Sequence, residues 1–417
     1  MPPASDIASR LQCALDTFSL KYCNYLLQWQ YDQPVISTYA HSAKIREAGL
    51  ALGKVIKGVA LNFSDHDFEN YLPISQRSRD IIRLLNSNPV YDLGTYRTDT
   101  VFAPDGSIKF IEITCQFSLN AFVQADAFNK FSKSYAEKHH IAGSRVEEYG
   151  QFVDFISEKF SRYSSVCVIK GRDQRQSSRF YVPLLRDAGF YVSEISFRNV
   201  NDNANLIRGS HVINEFMVDE IESLSDDEIS LISGQKAIND FRTILIAHDK
   251  RFFSLLSNRN MLKQFLEPSE LQILQSFLLC TVELNATNII KHRILEDKDK
   301  WIIKHKNLGR SRHIYAGREE SDSEWKALLE SFDYSEFVAQ EWVPQKTYSG
   351  TVNGKIYNDY LTGTLLYFDD SYFGQGLYRA SSHYIANKVD NRNASPLVVT
   401  NPSCFEGLEC LTSFKAL

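Results

Sequence analysis

Polar side chains at alternating positions in two neighbouring segments could together bind a cation and an anion. Glu112, Thr114 and Gln116 are spaced two apart in IKFIEITCQF, and Arg97 and Asp99 are spaced two apart in the preceding run TYRTDTVFA. Alternate residues of an extended strand point to one face, so each group should share a face. A carboxylate among oxygen donors suits Mg²⁺, and a nearby arginine suits an anionic group. The alternative is a half-exposed sheet face with a cross-strand ion pair.

A second segment concentrates cations between two β-rich runs. In KHKNLGRSR these cations are Lys304, Lys306, Arg310 and Arg312. Lysine and arginine donate charge-assisted hydrogen bonds to phosphate oxygens, so the segment could hold a polyphosphate. It is not a P-loop, because the sequence lacks GxxxxGK[ST]. The alternative is a solvated basic turn.

A third segment, AQEWVP, predicts only a strand that ends at Pro344. The sequence contains no G-x-S-x-G, H-E-x-x-H or G-x-G-x-x-G pattern. Any function must therefore come from the way in which the three segments combine.

The elements that must position these residues alternate between helical and β-rich stretches. Apolar residues recur at helical spacing over 5–85, and Asp105-Gly106 between two β-rich runs predicts a hairpin over 95–124. Strand–helix–strand patterns after residue 150 predict a small parallel α/β subdomain. Helical patterns follow over 226–280. Ser321-x-x-Glu324 predicts a helix start.

Composition excludes several classes of function. Hydrophobic residues make up 43% and charged residues 23% of 417 residues, as in ordinary globular proteins, and the net charge is -5. That charge gives no electrostatic reason to expect nucleic-acid or anionic-membrane binding. We expect a cytoplasmic protein with reduced cysteines, since no signal peptide, membrane span or C-x-x-C pattern is evident. A homodimer stays possible.

Taken in order, these segments resemble the circularly permuted ATP-grasp ligases, a group that contains eukaryotic-type glutathione synthetase and glutathionylspermidine synthetase-like proteins. RTDTVFAPDGSIKFIEIT looks like the group's R-x-D-x-x-F…E-x-N element, placed before the lysine segments as in the permuted group. AHDKRFFSLLSNRNMLKQFL is similar to its lysine-led helical stretch, with Lys250 on one nucleotide-contacting lysine. WIIKHKNLGRSRHIYAG falls on its lysine strand and glycine-rich loop, with Lys304 on the second lysine.

Two later segments complete the resemblance, which covers roughly 90–125 and 245–390. FVAQEWVP falls on the adenine hinge, and GLYRASSHYIAN resembles the late G-x-x-x-R-x-S…N strand with Arg379 at its arginine. The sequence also departs from the pattern. Thr114 replaces the metal-binding Asn, Leu308 replaces an acidic residue, and the loop keeps only Gly309.

The resemblance implies a mixed α+β and α/β chain, an ATP-grasp fold in circularly permuted form with an inserted small parallel α/β substrate-side subdomain. The expected parts are a helical region with the metal-binding hairpin (1–150), the substrate-side subdomain (151–225), a helical connection with the first ATP lysine (226–284), an ATP-binding lid (285–345) and the rest of the core (346–417).

The resemblance also implies an ADP-forming ligase that joins a small carboxylic acid to an amine through an acyl phosphate. ATP would be bound by Lys250, Lys304, Lys306, Arg310, Arg312, Gln340, Glu341 and Val343. Mg²⁺ would be bound by Glu112 and Thr114, and Arg97 and Arg379 would hold the acyl phosphate or the substrate carboxylate. The substrates would be amino-acid or peptide-like compounds of a specialised-metabolite pathway.

Two alternatives remain open from the sequence. The first is a catalytically weakened relative that only binds a nucleotide or small molecule, which the replaced metal and loop residues favour. The second has no ATP site and uses the α/β unit over 151–217 to bind a small molecule.

Overall fold

The chain is described by a computed structural model over residues 4–64, 68–87, 90–119, 121–141, 144–145, 151–160, 165–172, 178–235, 237–284, 288–309 and 311–400. Its helices in this part are α1 (Ala4–Leu27), α2 (Tyr39–Leu61), α3 (Phe68–Tyr71), α4 (Gln76–Asn86), α5 (Phe122–Lys138), α6 (Gln151–Phe160), α7 (Ser178–Asp187), α8 (Ala204–Ile207), α9 (Val218–Glu222), α10 (Asp226–Ser233), α11 (Phe241–Ala247), α12 (Phe252–Leu256), α13 (Arg259–Leu262), α14 (Pro268–Phe277), α15 (Asn288–Glu296) and α16 (Asp322–Ser331).

The strands in the same ranges belong to four sheets. They are β1 (Val35–Thr38), β2 (Thr95–Phe102), β3 (Ile108–Thr114), β4 (Ser144–Arg145), β5 (Ser165–Lys170), β6 (Tyr191–Ser196), β7 (His211–Glu215), β8 (Thr281–Glu283), β9 (Trp301–His305), β10 (Ile314–Ala316), β11 (Phe337–Glu341), β12 (Thr347–Val352), β13 (Lys355–Phe368), β14 (Ser371–Gln375), β15 (Tyr378–Ser381), β16 (Arg392–Ala394) and β17 (Pro396–Val399).

The predicted hairpin is confirmed as β2 and β3 of a seven-stranded antiparallel sheet. Its strands run in the order β16-β15-β13-β2-β3, and β12 and β14 also pair with β13. In the hairpin register Arg97 faces Thr114 and Asp99 faces Glu112, so these four side chains lie on one face. Gly106 makes the turn with a φ of +86°, a value that glycine adopts without strain.

Helix α2 covers the opposite face of this sheet. The rings of Tyr96 and Tyr367 stack with centroids 4.9 Å apart, and each phenol donates to a main-chain carbonyl of α2. Gly49 lets the helix come this close, because a Cβ atom there would lie 2.0 Å from Cζ of Tyr367. The helix therefore anchors the sheet that carries the hairpin.

A four-stranded antiparallel sheet, in the order β10-β9-β11-β8, forms a second unit. Side chains alternate along β9: Trp301 and Ile303 join the core under Trp325 of α16, whereas Ile302 and Lys304 line the cleft described below. The predicted capping box is confirmed, since Ser321 Oγ accepts from the Glu324 amide at 3.3 Å. We call this four-stranded unit the lid sheet.

The predicted parallel α/β unit is confirmed in its strands. β6, β5 and β7 are parallel in that order, with α7 between β5 and β6. The unit meets the end of the hairpin, because Ser118 Oγ donates to Asn214 O at 3.0 Å. The carboxyl ends of β5 and β7 consequently lie beside the polar face of the hairpin.

The tail is β-rich as expected through β17, and residues 401–417 lie outside the described part. The helical pattern expected over 226–280 is confirmed as a series of short helices, and the part after Lys250 forms α12, α13 and α14. Asn258 caps the start of α13, directly after α12, and Pro268 is the first residue of α14. Within the described ranges, no helix has the length and apolar character that a membrane crossing demands.

We expect Gly49→Ala to lower the free energy of unfolding by about 1–3 kcal/mol, because the added methyl group overpacks the contact with Tyr367. This loss should outweigh the roughly 1 kcal/mol that alanine gains over glycine in a helix. Urea denaturation measures the change. Lys57→Ala, exposed on the same helix, is the control and should stay within about 0.5 kcal/mol of the parent. Equal stability of Gly49→Ala and the parent would contradict the packing described.

Candidate functional site

Two lysines from distant parts of the chain meet one carboxylate where the two antiparallel sheets adjoin. Lys250 follows α11, and its Nζ lies 3.1 Å from Glu112 Oε1 and donates to Leu308 O at 2.8 Å. Lys304 Nζ donates to Ile111 O at 3.1 Å and to Gln340 Oε1 at 2.7 Å. The lid sheet is thus joined to the hairpin through charged side chains.

The charges of this cluster depend on one another. Burial alone would raise the pKa of Glu112, but the ammonium groups of Lys250 and Lys304 outweigh burial and hold that pKa well below its ordinary range. Burial lowers the pKa of Lys304 to about 8, and Glu112 opposes that shift. At neutral pH, therefore, Glu112 is ionised and Lys304 is mostly protonated.

A second charged group lies on the same sheet face. Asp99 is 3% exposed, and it accepts from Arg97 Nε at 3.0 Å and from Arg379 Nη2 of β15. Four cations (these two arginines and the two lysines) thus surround two carboxylates, which leaves an excess of positive charge. An anionic ligand would compensate this excess.

These groups border a cleft of about 590 Å³ between the hairpin face and the lid sheet. Its opposite end is apolar, with Ile302 and Ile314 from the lid sheet, Ile385 from the loop after β15, and the Trp342 and Tyr384 rings, whose centroids are 4.6 Å apart. A volume of this size with an apolar wall and few polar groups is typical of small-molecule sites.

Most of the residues predicted for the site come together in this cleft. Those that line it are Arg97, Glu112, Thr114, Lys304, Arg312, Gln340, Glu341, Val343 and Arg379. Lys250 does not line the cleft itself, but its Nζ contacts the carboxylate of Glu112, which does. Arg310 lies outside the described residues. Arg312 and Glu341, both exposed, add one charge of each sign.

Lys306 lies elsewhere, in a second cleft of about 380 Å³. Its Nζ is 2.5 Å from Glu336 Oε1. Lys306 follows the end of β9 at His305, so the alternation of that strand no longer holds it on the face of Lys304. Gln116, Met217 and Asn307 line both clefts, so these two spaces adjoin.

Several residues of the cleft were not assigned a role from the sequence. Asp99 was placed on the correct face but not recognised as the partner of Arg379, which follows it by 280 positions. His248 and Asn307 lie within the quoted segments AHDKRFFSLLSNRNMLKQFL and KHKNLGRSR, but only lysines and arginines of those segments were assigned a role. The spacing of His248 two residues before Lys250 was the one available signal.

For Mg²⁺ the set of donors is small. Throughout the described ranges, no three of His, Cys, Asp or Glu converge on one point. Asp99 is bonded to two arginines, which leaves Glu112 with the Thr114 hydroxyl on the same face. Because Mg²⁺ is commonly held by one or two carboxylates together with substrate phosphates, these residues fit an ion shared with a polyphosphate.

Comparison with known proteins gives a likeness in fold. A solved structure of a glutathione synthetase-like effector from Globodera pallida in its apo form matches with a TM-score of 0.59, at 10% identity, over 96% of this chain and 98% of that chain. A putative gamma-glutamylcysteine synthetase from Methylobacillus flagellatus gives a TM-score of 0.33 at 11% identity over 87% of each chain, too low to support an argument.

The sequence comparisons add less. The family model described as the AnkG N-terminal domain matches residues 50–246, which is just under half of the chain. No curated protein matches. The expected mixture of α and β structure, with antiparallel and parallel sheets, is confirmed, and the fold is similar to that of a glutathione synthetase-like protein. Circular permutation stays a prediction.

We expect Asp99→Asn to lower the free energy of unfolding by about 3–5 kcal/mol, because it leaves two partly buried guanidinium groups without a counter-charge. Urea denaturation measures the loss, and millimolar phosphate should restore part of it. Asp226→Asn is the matched control: its pair with Arg77 is exposed and should contribute at most about 1 kcal/mol. Equal losses in the two variants would show that Asp99 is no more important than a surface acid.

Proposed function

We propose that this chain is an ADP-forming ligase that uses ATP to join a carboxylic acid to an amine, on a circularly permuted ATP-grasp fold. The observation that carries the proposal is the cluster of Lys250, Glu112 and Lys304 between two antiparallel sheets, at the polar end of a nucleotide-sized cleft. The likeness to a glutathione synthetase-like effector supports the fold that this proposal requires.

The cleft suggests an orientation for ATP. The adenine would lie at the apolar end, between Ile302 of the lid sheet and Ile385, next to the strand that ends at Glu341. The triphosphate would extend towards Lys304 and Lys250, where positive charge is in excess. Phosphate oxygens would then replace the carbonyl of Leu308 and the amide of Gln340 as partners of the ammonium groups.

The chemistry would proceed in two steps. An oxygen of the acid substrate, held by Arg97 and Arg379, attacks the γ-phosphorus while the bond to the ADP oxygen breaks. The amine nitrogen then attacks the acyl carbon, the bond to phosphate breaks, and the amine proton leaves with the phosphate. Mg²⁺, held by Glu112 and Thr114 together with phosphate oxygens, would neutralise the developing charge. The side chains contribute mainly position and electrostatic stabilisation.

An acyl phosphate must be protected from water, and the lid sheet can provide this. Glu319, just after β10, accepts from Lys388 Nζ and lies within hydrogen-bond distance of His383 Nε2, each at 2.6 Å. Ser311 Oγ donates to Ala386 O. These contacts join the lid to the core at the rim of the cleft and would limit solvent entry.

A second candidate function is binding of a nucleotide or other anion without turnover. The small number of metal donors favours it. Among the described residues that line the cleft, Glu112 is the one carboxylate that lies beside the lysines without an arginine partner. Release of ADP and phosphate across a panel of acids, with hydroxylamine as the amine, separates the candidates. Binding without any release favours the second.

We expect Lys304→Ala to weaken binding of a non-hydrolysable ATP analogue at least tenfold by calorimetry, the effect of losing a charged hydrogen bond of about 1.5–3 kcal/mol. Lys298→Ala is the control, because Lys298 is another lysine held by oxygen acceptors, the main-chain oxygens of Gly317 and Glu320, but lies outside the cleft. Its affinity should stay near that of the parent. Unchanged affinity in Lys304→Ala would rule out the assigned phosphate site.

The affinity of the parent for the analogue should depend on pH. Bound phosphate raises the pKa of Lys304 above its free value of about 8. Above pH 8 the free lysine must take up a proton to bind, so affinity should fall by up to about tenfold per pH unit. Well below pH 8, where Lys304 is already protonated, the affinity should not change with pH through this residue. Calorimetry at pH 7 and pH 9 measures the difference, and equal affinities would contradict it.

We expect Glu112→Gln to lower the kcat for Mg²⁺-dependent ADP release at least about a hundredfold, since it removes the one charged metal donor assigned here. The assay is run where circular dichroism shows the variant folded. Glu336→Gln, in which a glutamate also loses a lysine partner, is the control and should keep its kcat within about threefold. Full activity of Glu112→Gln would place the metal elsewhere.

A further inference from the structure

His248 borders the first cleft with a nitrogen that has no hydrogen-bond partner among the described residues. It follows α11 directly, is 6% exposed, and its Nδ1 is buried without a hydrogen bond to any described residue. A buried polar atom left unpaired costs about 1–3 kcal/mol. A ligand in the cleft that hydrogen-bonds to Nδ1 would remove this cost.

The imidazole is uncharged. Burial, and next the ammonium of Lys250, lower the pKa of His248 to about 4, although Glu112 and Asp249 partly oppose them. A neutral imidazole has one nitrogen that accepts. With the proton on Nε2, Nδ1 presents a lone pair, which suits an N–H or O–H donor of a ligand.

A second unpaired acceptor lies on a neighbouring segment of chain. Asn307 Oδ1 is buried without a hydrogen-bond partner in the described part of the chain, and Asn307 lines both clefts. The two segments are joined along the main chain, because Lys250 N donates to Lys306 O at 2.9 Å and Lys250 Nζ donates to Leu308 O at 2.8 Å. His248 and Asn307 therefore stand on adjacent strips of chain, next to the lysine cluster.

We infer that the amine substrate binds where the two clefts adjoin, with His248 Nδ1 and Asn307 Oδ1 accepting hydrogen bonds from its nitrogen. This inference rests on the ligase function proposed above and assigns the class of ligand, a primary amine, to a place in the structure. Glu112, which lies 3.1 Å from Lys250 Nζ, would keep the phosphate end of the reaction within reach.

Neutral acceptors suit a nucleophilic amine better than a carboxylate would. A carboxylate favours the ammonium form, in which the nitrogen has no lone pair to attack with. Two uncharged acceptors near the ammonium groups of Lys250 and Lys304 favour the free amine instead. Its lone pair then forms the C–N bond, the acyl–oxygen bond breaks with its electron pair, and the departing phosphate takes the proton. His248 holds the amine and takes no proton.

Nitrogen NMR on protein with ¹⁵N-labelled histidine tests the contact without turnover. The His248 signal is assigned from its loss in His248→Asn, and the protein is saturated with a non-hydrolysable ATP analogue and Mg²⁺. Hydroxylamine, largely uncharged at pH 7.5, is then added as the probe. We expect the unprotonated nitrogen of His248 to shift as it accepts a hydrogen bond. No shift at saturating hydroxylamine overturns the inference.

Kinetics with hydroxylamine and the most productive acid provide the second test. His248→Leu removes the acceptor, and the KM for hydroxylamine should rise roughly tenfold, the effect of one lost hydrogen bond, with the KM for ATP changed less than twofold. His248→Asn keeps an acceptor near Nδ1, so its KM for hydroxylamine should stay within about threefold of the parent. Equal KM values for Leu and Asn, whether both raised or both normal, would overturn the inference.

The two tests separate this inference from the proposed function. If the parent forms no hydroxamate with any acid but the NMR signal shifts, the ligase proposal fails and the amine site stands as a binding site. If hydroxamate forms but His248 neither shifts nor changes the KM, the ligase proposal stands and the amine site is wrong.

Discussion

The carboxylate of Glu112 compensates two buried ammonium groups that come from segments far apart in the chain. Moving an ion out of water into a protein costs several kcal/mol, and attraction to a close counter-charge offsets this cost only with good geometry. Lys250 and Lys304 are 3% and 5% exposed, so neither could remain charged there without Glu112 and the carbonyl oxygens around it. The contact between hairpin and lid sheet depends on that compensation.

The same charges bear on both roles considered for this cluster, contact between the two sheets and binding of the proposed ligand. The cations exceed the carboxylates, and Asp99 is shared between two arginines rather than paired with one. The proposed polyphosphate would therefore enter without displacing every protein contact, since it would supply the missing negative charge. A cleft with equal numbers of each charge would resist such a ligand, because each new contact would break an equally good one.

Local periodicity was sufficient to predict the hairpin and its polar face. Two-residue alternation places Arg97 with Asp99 and Glu112 with Thr114, and the register of β2 with β3 brings both pairs to one side. Alternation alone would place Lys304 and Lys306, both assigned to ATP, on one face, but they line different clefts. The rule applies only within a strand, and Lys306 lies just beyond β9, which ends at His305. Beyond a strand end, spacing no longer fixes direction.

What the sequence could not supply was contact over long separations. Arg379 meets Asp99 because β15 and β2 both pair with β13, a relation that no short motif records. His248 is a similar case, since its lowered pKa arises from burial within the fold and from the nearby ammonium of Lys250, which Glu112 and Asp249 only partly oppose. A lone histidine in a sequence has an ordinary pKa and no direction. Only the fold buries it at the edge of a cleft and leaves Nδ1 without a partner among the described side chains. This combination is the basis for assigning His248 as an acceptor for a neutral nitrogen.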